Sequence, residues 1–445
     1  MGITGGVRLR SNVGHQIVTI TRFKGESQRL TAGCLNAAGG SYAGAVRAHP
    51  RASRHVMRIL WIPHLPWARM TGQREWHLIK RLLPRGHEVH VVTWDAIRSP
   101  SALVHSVTAG VERDGSFVIH RAARLPNPVG RITRDYARGF RPNEWLFQRQ
   151  VRRILAEERF DLLAYGLSHK AVGLPPFDVS VPRVFDYLDL CIYPEVEAAY
   201  LRHSDLVLCT SGVLVDRVRG RGGRPQYLPN GVDRERIASG RSEVVRRKLD
   251  LVGKRVVSLI GLTYSRSLFF IDAMAEAARV VPDIAFLAVG AGGLLPHEGL
   301  GPFEARCRER GVHFVATGQV PHDAIADYFM ATDVGLYPGD ANPYFDAACP
   351  IKILEYTAAG KPVVATDLAE LRRWAFPNVY LAPPTPEAFA AAIVRALNTR
   401  TAMADLSAFD WDALALQFET ACEELIAERP VPMRAQTEHA LPRTA

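Results

Sequence analysis

Lys352 and Glu355 are the residues of this 445-residue chain whose types and spacing point most directly to chemistry. Three positions apart in a predicted helix, they are neighbours on one face. They lie in Pro350–Thr366, which reads as a loop, a short helix, a stop and a buried strand. Pro350 suits a helix's first turn, where its missing N–H costs nothing. Ile351, Leu354 and Ala358 repeat at three-to-four spacing, so one face can pack on a sheet. Gly360 supplies a left-handed stop, and Val363, Val364 and Ala365 form the apolar run of a parallel strand covered on both sides. Residues 333–338 read as the preceding strand, so the helix would begin in the crevice beyond a strand's carboxyl end, where open α/β sheets bind ligands. Its free N–H groups and dipole favour an anion such as a diphosphate. Glu355, one turn inside, could accept hydrogen bonds from sugar hydroxyls. On residue types alone, a solvated Lys–Glu pair on an ordinary amphipathic helix is the alternative.

Residues 184–189 put two acids, Asp186 and Asp189, at another strand's carboxyl end. Asp189, the one beyond the strand, could orient an acceptor hydroxyl or stabilise positive charge on a sugar ring. Capping the helix that follows is the alternative. In the loop 63–74, Gly72 lets the backbone come close to a ligand just before a helix. One glycine is too few for a G-x-G-x-x-G dinucleotide fingerprint, and Gly360-Lys361 lacks the earlier glycine and the following hydroxyl of a P-loop. Asp410 and Asp412 make a D-x-D string, but at the start of the last helix, where capping accounts for it. The histidines lack metal-ligand spacing, so no metal is expected.

The elements that must position these residues form two α/β halves. Strands are expected at Val56–Ile62, His87–Trp94, Ser116–His120, Leu162–Tyr165, Arg183–Tyr187, Leu206–Thr210 and Gln226–Leu228. Helices alternate with them, as at Gly72–Arg85, which implies a parallel doubly wound sheet. Pro229–Asp233 is turn chemistry. The alternation restarts with strands at Val256–Gly261, Ile284–Gly290, Val312–Thr317, Val334–Tyr337, Pro362–Thr366 and Val379–Leu381, and helices at Leu268–Val281 and Asp323–Ala331. A last helical pattern, Trp411–Glu428, has no strand after it. Residues 121–159 hold ten arginines and four acids, with Trp145, Phe147, Val151, Ile154 and Leu155 at helical spacing. A solvated helix with its apolar side in the domain is favoured over one lying on an anionic membrane.

Apolar residues at 47% and charged residues at 22% suit a globular protein with two ordinary domains. Cys34, Cys191, Cys209, Cys307, Cys349 and Cys422 are scattered without a C-x-x-C pair, which fits a reducing cytoplasm better than a disulfide framework or a zinc site. No stretch approaches the ~20 apolar residues of a spanning helix, so any membrane contact should be peripheral. Residues 1–54 carry eight Lys/Arg and one acid, most of the +10 net charge, so the basic balance is poor evidence for nucleic-acid binding. That segment reads as a disordered arm, with Met57 as the expected natural start. The expected organisation is a basic extension over 1–55, one Rossmann-like domain over 56–230, a second over 231–405, a helix over 406–428 and a tail over 429–445.

The string Pro350–Thr366, ending Ala-Ala-Gly-Lys-Pro-Val-Val-Ala-Thr, resembles the donor-site motif of the GT-B glycosyltransferases in the large retaining group called family 4 or group 1. The resemblance extends to Pro229–Asp233, which marks the crossing between domains in that family, and over about Met57–Glu428. It implies two Rossmann-like domains facing a cleft, the first binding the acceptor and the second a nucleotide-sugar, with the last helix crossing back to the first domain. It implies that Glu355 contacts the ribose hydroxyls. Arg266, in the loop that starts at Gly261, would grip the diphosphate with Lys352 as the second cation. Gly290 would open the turn beside the nucleotide, and residues 318–323 would border the base. Gly72, Gln73 and Arg74 would face the cleft as acceptor or phosphate contacts, and Asn342, Tyr344 and Asp346 would lie over the donor sugar. The family pattern has a Glu where this chain has Ala347, which implies a branch with an altered donor loop. The implied activity is metal-independent glycosyl transfer with retention to a glycan or lipid-linked acceptor, without a cofactor beyond the nucleotide-sugar. A nucleotide-sugar epimerase of the same fold and a non-catalytic nucleotide-sugar binder remain as alternatives.

Overall fold

The structure, a computed structural model, describes residues 55–67, 72–94, 108–126, 136–167, 176, 178–261, 268–290 and 301–428. The expected arms at 1–54 and 429–445, and Arg266, lie outside these residues. The first half forms a sheet of β1 (Arg58–Ile62), β2 (Glu88–Thr93), β3 (Gly110–Asp114), β4 (Phe117–Arg121), β5 (Leu162–Gly166), β6 (Arg183–Tyr187), β7 (Leu206–Cys209) and β8 (Pro225–Tyr227). Their order is β3-β4-β2-β1-β5-β6-β7-β8. The second half forms a six-stranded sheet of β9 (Arg255–Ile260), β10 (Ile284–Val289), β11 (Phe314–Ala316), β12 (Val334–Tyr337), β13 (Val363–Thr366) and β14 (Val379–Ala382), in the order β11-β10-β9-β12-β13-β14.

Every ladder is parallel except β3–β4. The central strands are apolar runs buried along their length, Leu162–Gly166 among them, because helices cover both faces. In both sheets the order reverses at the first strand, so the carboxyl ends of β1 and β5, and of β9 and β12, flank a natural crevice. β3 is the strand that the sequence does not announce. It is exposed throughout and has no apolar alternation, and it exists as the outer arm of a hairpin turned at Gly115, φ +58°. The arginine-rich helix Tyr136–Glu157 buries Phe147, Val151 and Ile154 and leaves Trp145 exposed, with Arg149 over its ring. It therefore packs its apolar side into the domain, as the residue pattern favours.

The final helix, Trp411–Glu428, returns to the first domain. Trp411, Leu414, Phe418, Cys422 and Leu425 join one core with Trp61, Leu78 and Ile79. Trp61 stacks on Phe418 with ring centres 5.2 Å apart, and His77 stacks on Trp411 at 4.6 Å. The buried Glu419 accepts from Arg85 at 3.1 Å and lies 3.0 Å from His87 Nε2. Because His87 Nδ1 accepts from Met57 N, the ring proton is on Nε2 and points at Glu419. Asp410 caps this helix through Asp412 N and Ala413 N, as expected of the D-x-D string.

The two chain crossings between domains lie side by side. Val232 N donates to Phe409 O at 2.8 Å, and Val232 bridges Asp410. A Cβ on Gly231 would lie 2.6 Å from Trp411 Cδ2 and 2.9 Å from Phe409 O, so only glycine passes beneath the returning helix.

Gly231→Ala should therefore destabilise the protein by about 1–3 kcal/mol, the usual range for overpacking; a urea midpoint equal to wild type would remove this constraint. Acid should also loosen the fold. His77 is pushed down to about 3 by burial and by Arg81 and Arg236, and His120 to about 4 by burial and by His90. Both protonate at about 6.5 in an unfolded chain. The unfolded state then binds more protons, and stability falls as pH drops below about 6.5. His77→Phe should show a smaller loss of urea stability between pH 7 and 5 than wild type, and an equal loss would remove His77 from the account.

Candidate active site

The helix Ile351–Ala358 starts after Pro350 and ends at Gly360, φ +72°, as the sequence predicts. Its buried set differs from the expected one. Ile353, Leu354, Tyr356 and Thr357 are buried, while Ile351 and Ala358 are only half-buried. Tyr356 explains the rotation. Its hydroxyl donates to Ser258 O at 2.9 Å and accepts from Ile260 N at 3.1 Å, bolting the helix to β9. The ring crosses β12 at Gly335, where a Cβ would lie 2.5 Å from it. Neighbouring Glu355 is consequently 5% exposed rather than solvated. Its carboxylate accepts from Lys352 Nζ at 2.7 Å, and Arg236 Nη2 lies 3.5 Å from its other oxygen.

Lys352 runs across the end of β9. A Cβ on Gly261, φ +108°, would come within 3.3 Å of Lys352 Cε, and one on Gly290, φ +114°, within 3.3 Å of Gly261 O. Lys352, Glu355, Gly261 and Gly290 are thus brought together as the sequence predicts. Arg236 was not anticipated. It comes from the short helix Arg234–Ala238 just past the domain crossing, and its Nη1 is buried without a partner among the described residues. His322, in the segment expected to border the base, reaches Gly72 of the first domain, where a Cβ would lie 2.8 Å from its ring. Gly72, φ +77°, and the extended Gln73 that precedes the helix Arg74–Leu82 therefore face the second domain.

Arg74 does not face an acceptor. It is 1% exposed, its Nε sits 2.9 and 3.0 Å from the two Asp186 oxygens, and its Nη1 donates to Pro229 O. A buried guanidinium needs such a partner, so the side chain turns inward. Burial pushes Asp186 up to about 6 despite Arg74. Asp189, three residues on, caps no helix among the described residues, and the N-cap of the next helix is Tyr193. It is raised by burial, with the hydroxyl of Tyr344 from the second domain bonded to its carboxylate, so Asp189 and Tyr344 meet across the cleft. Facing Asp189 is a pair that sequence reasoning missed: His64 Nδ1 lies 2.6 Å from Oε1 of the fully buried Glu75. The two are eleven positions apart, so no local spacing announces them.

The other two donor-loop candidates are occupied locally. Asn342 Oδ1 accepts from Tyr344 N and Phe345 N at 3.0 and 3.1 Å, capping Pro343–Asp346. Asp346 Oδ1 accepts from Ala369 N at 2.8 Å, at the start of the helix Ala369–Trp374. Ala347 is fully buried and packs into the first domain's core, a place a Glu could not take uncharged and unpaired. Further contacts join the domains: Asn230 Nδ2 to Cys349 O at 2.8 Å, Val213 N to Glu370 at 3.2 Å, and Arg373 to Asp216. Away from the cleft, His90, His120 and Glu158 gather within 4.8 Å despite their unremarkable spacing. Arg58 pairs with Glu158 and Glu88 there, supplying positive charge itself.

Two family models match the chain: "Glycosyltransferase Family 4" over residues 71–236 and "Glycosyl transferases group 1" over residues 254–399. Among curated proteins it is similar to two teichuronic acid biosynthesis glycosyltransferases of Bacillus subtilis (strain 168). It is 28% identical to TuaH over 193 residues, 42% of this chain, and 24% identical to TuaC over 199 residues, 43% of it. The chain spans about half the length of these relatives, 47% and 46%. Among solved structures, sucrose-phosphate synthase of Thermosynechococcus elongatus has a TM-score of 0.60 at 18% identity, over 83% of this chain and 99% of that one. Trehalose 6-phosphate synthase of Burkholderia multivorans has 0.62 at 12%, over 84% and 98%. Anabaena HepE in complex with UDP has 0.54 at 18%, over 83% and 98%.

If Asp346 works as a helix cap, Asp346→Ala should cost about 1 kcal/mol of stability and leave nucleotide affinity unchanged. Unchanged urea stability with weakened binding of UDP-glucose would return it to the donor sugar.

Proposed function

Because the chain belongs to the group 1 and family 4 glycosyltransferases, with the two-domain GT-B fold, we propose that it moves a glycosyl group from a nucleotide-sugar to a glycan or lipid-linked acceptor. The observation that carries this reading is Glu355, buried one turn inside a helix whose mouth faces the Gly261 and Gly290 turns, with cations on both sides of its carboxylate. A carboxylate so placed has little to do for stability that an apolar residue would not do better, and it suits the paired hydroxyls of a ribose.

In this proposal the diphosphate lies over the helix N-terminus. Lys352 and Arg266 neutralise the departing nucleoside diphosphate, so the reaction needs neither a metal nor a cofactor. Gly261 and Gly290 let the phosphates approach the backbone. Asp189 stands where acceptor and donor sugar meet, Gly72 and Gln73 border the acceptor, and transfer proceeds with retention. Uridine is the proposed base, since neighbours of this fold are described with UDP or a UDP-sugar. A cell-envelope polysaccharide as destination follows the names of the two Bacillus relatives. No described helix is long and apolar enough to cross a membrane; a lipid-linked acceptor would be met by peripheral contact.

The test is a melting panel with UDP, GDP, ADP, dTDP and their glucose conjugates. A ligand at ~100 times its Kd should add about 2.7 kcal/mol of stability. Glu355→Ala should abolish the shift produced by UDP, and a shift that survives the substitution would remove the ribose assignment.

A further inference from the structure

We propose that His90, His120 and Glu158 form a binding site for a divalent cation of the zinc type, built into the first domain away from the cleft. The site does not rest on the transferase reading, and the groups proposed for sugar transfer need no ion from it.

Sheet register assembles the site. His90 and His120 are 30 positions apart in the chain, so no ligand spacing announces them. His120 of β4 pairs with Val92 of β2, which puts His90 and His120 two positions apart on the same face of neighbouring strands. Glu158 directly follows the arginine-rich helix Tyr136–Glu157. The donor atoms of the three residues lie within 4.8 Å of one another. His90 Nδ1 is 2.9 Å from His120 Nε2 and 3.9 Å from Glu158 Oε2. Zinc bonds of about 2.0–2.1 Å in a tetrahedron set ligand atoms roughly 3.3 Å apart, a spacing that these two distances bracket.

Glu88 fixes the tautomer. His90 Nε2 lies 2.7 Å from Glu88 Oε1. An ionised carboxylate only accepts, so Nε2 carries the proton and Nδ1 keeps its lone pair. Arg58 Nη2, 3.3 Å from the same nitrogen, can only donate and so makes no hydrogen bond to it. Without an ion, His90 Nδ1 accepts from His120 Nε2–H. Moving that proton to His120 Nδ1 frees the second lone pair with no change of charge. Both rings are buried, so neither is drawn away by water. A carboxylate behind a ligating histidine, as Glu88 stands behind His90, orients the ring and strengthens it as a ligand.

Two imidazoles and one carboxylate suit zinc, whereas magnesium and calcium take oxygen ligands. Three protein ligands leave a fourth position for water. Glu158, 24% exposed, gives the ion its way in.

Arg58 is the competitor. Its Nη2 pairs with Glu158 and, at 3.0 Å, with Glu88, and it is itself partly exposed. Arg113 stands further off, 3.6 Å from Glu158, and is more than half exposed. Arg58 therefore holds Glu158 while no ion is present. A cation that takes this carboxylate would send the guanidinium outward to solvent, leaving it on Glu88.

The experiment is a titration of the full chain, without a histidine tag and stripped with EDTA, with the chlorides of zinc, cobalt and magnesium. Calorimetry, melting and visible absorption are the readouts. Zinc should bind once per chain and raise the melting midpoint, cobalt should bind with the visible bands of a nitrogen-ligated ion, and magnesium should do neither. Glu158→Gln and His120→Asn should lose zinc binding, and Glu88→Gln should weaken it by about 10–100-fold. Arg58→Gln should tighten it, an effect that a purely structural ion pair would not produce. His313→Asn, at an exposed position outside the cluster, should bind like wild type. Should His120→Asn fail to fold, Glu158→Gln decides, since its side chain is partly exposed. Wild-type protein that binds no zinc would overturn the inference, as would full zinc binding in a Glu158→Gln protein that melts cooperatively.

Discussion

The spatial relation of the two halves depends on one crowded crossing. Chain leaving the first domain at Gly231–Val232 runs beside chain returning at Phe409–Asp410, and the indole of Trp411 closes over the glycine. Each hydrogen bond there is ordinary. The constraint comes from the final helix, whose apolar face is built into the first domain's core beside Trp61 and Leu78, so the second domain is tethered at both ends. Arg74 extends the tether inward, linking the β6 acid Asp186 to the carbonyl of Pro229. Two linkers side by side hold the halves together at one edge.

The buried charges fall into two kinds. Some are fully engaged: Arg74 with Asp186, Glu419 with Arg85 and His87, and Glu197 with Arg217, Arg221 and Tyr187. These hold elements in place, since breaking one partner would strand a buried charge. Others are engaged on one side only. Glu355 is flanked by cations one turn inside a helix, Arg236 keeps a buried N–H without a partner among the described residues, and His64 is fixed through one nitrogen. Buried polar groups are nearly always satisfied. The half-engaged ones are gathered at the strand ends of two facing sheets.

The part of this arrangement around Lys352 and Glu355 was legible in the sequence because its determinants are local. A proline before the helix, Gly360 after it, and Lys352 and Glu355 one turn apart all fall within a dozen residues. Near-continuous apolar runs likewise announced the central strands. The burial of Glu355 was a different matter. It depends on Tyr356 reaching β9 and on Gly335 making room for the ring, contacts that span 98 residues between Ser258 and Tyr356.

By itself, then, the sequence determined two parallel α/β halves, the turn between them and the helix that carries Glu355, because each follows from short-range periodicity and from the backbone preferences of glycine and proline. Only the tertiary structure decided that Arg74 turns inward to Asp186, that Asn342 and Asp346 cap helices, and that His64 meets Glu75 beside Asp189. A side chain's partner depends on which strand ends are brought side by side. That adjacency is set by sheet order and by the returning helix, over separations that no local pattern encodes.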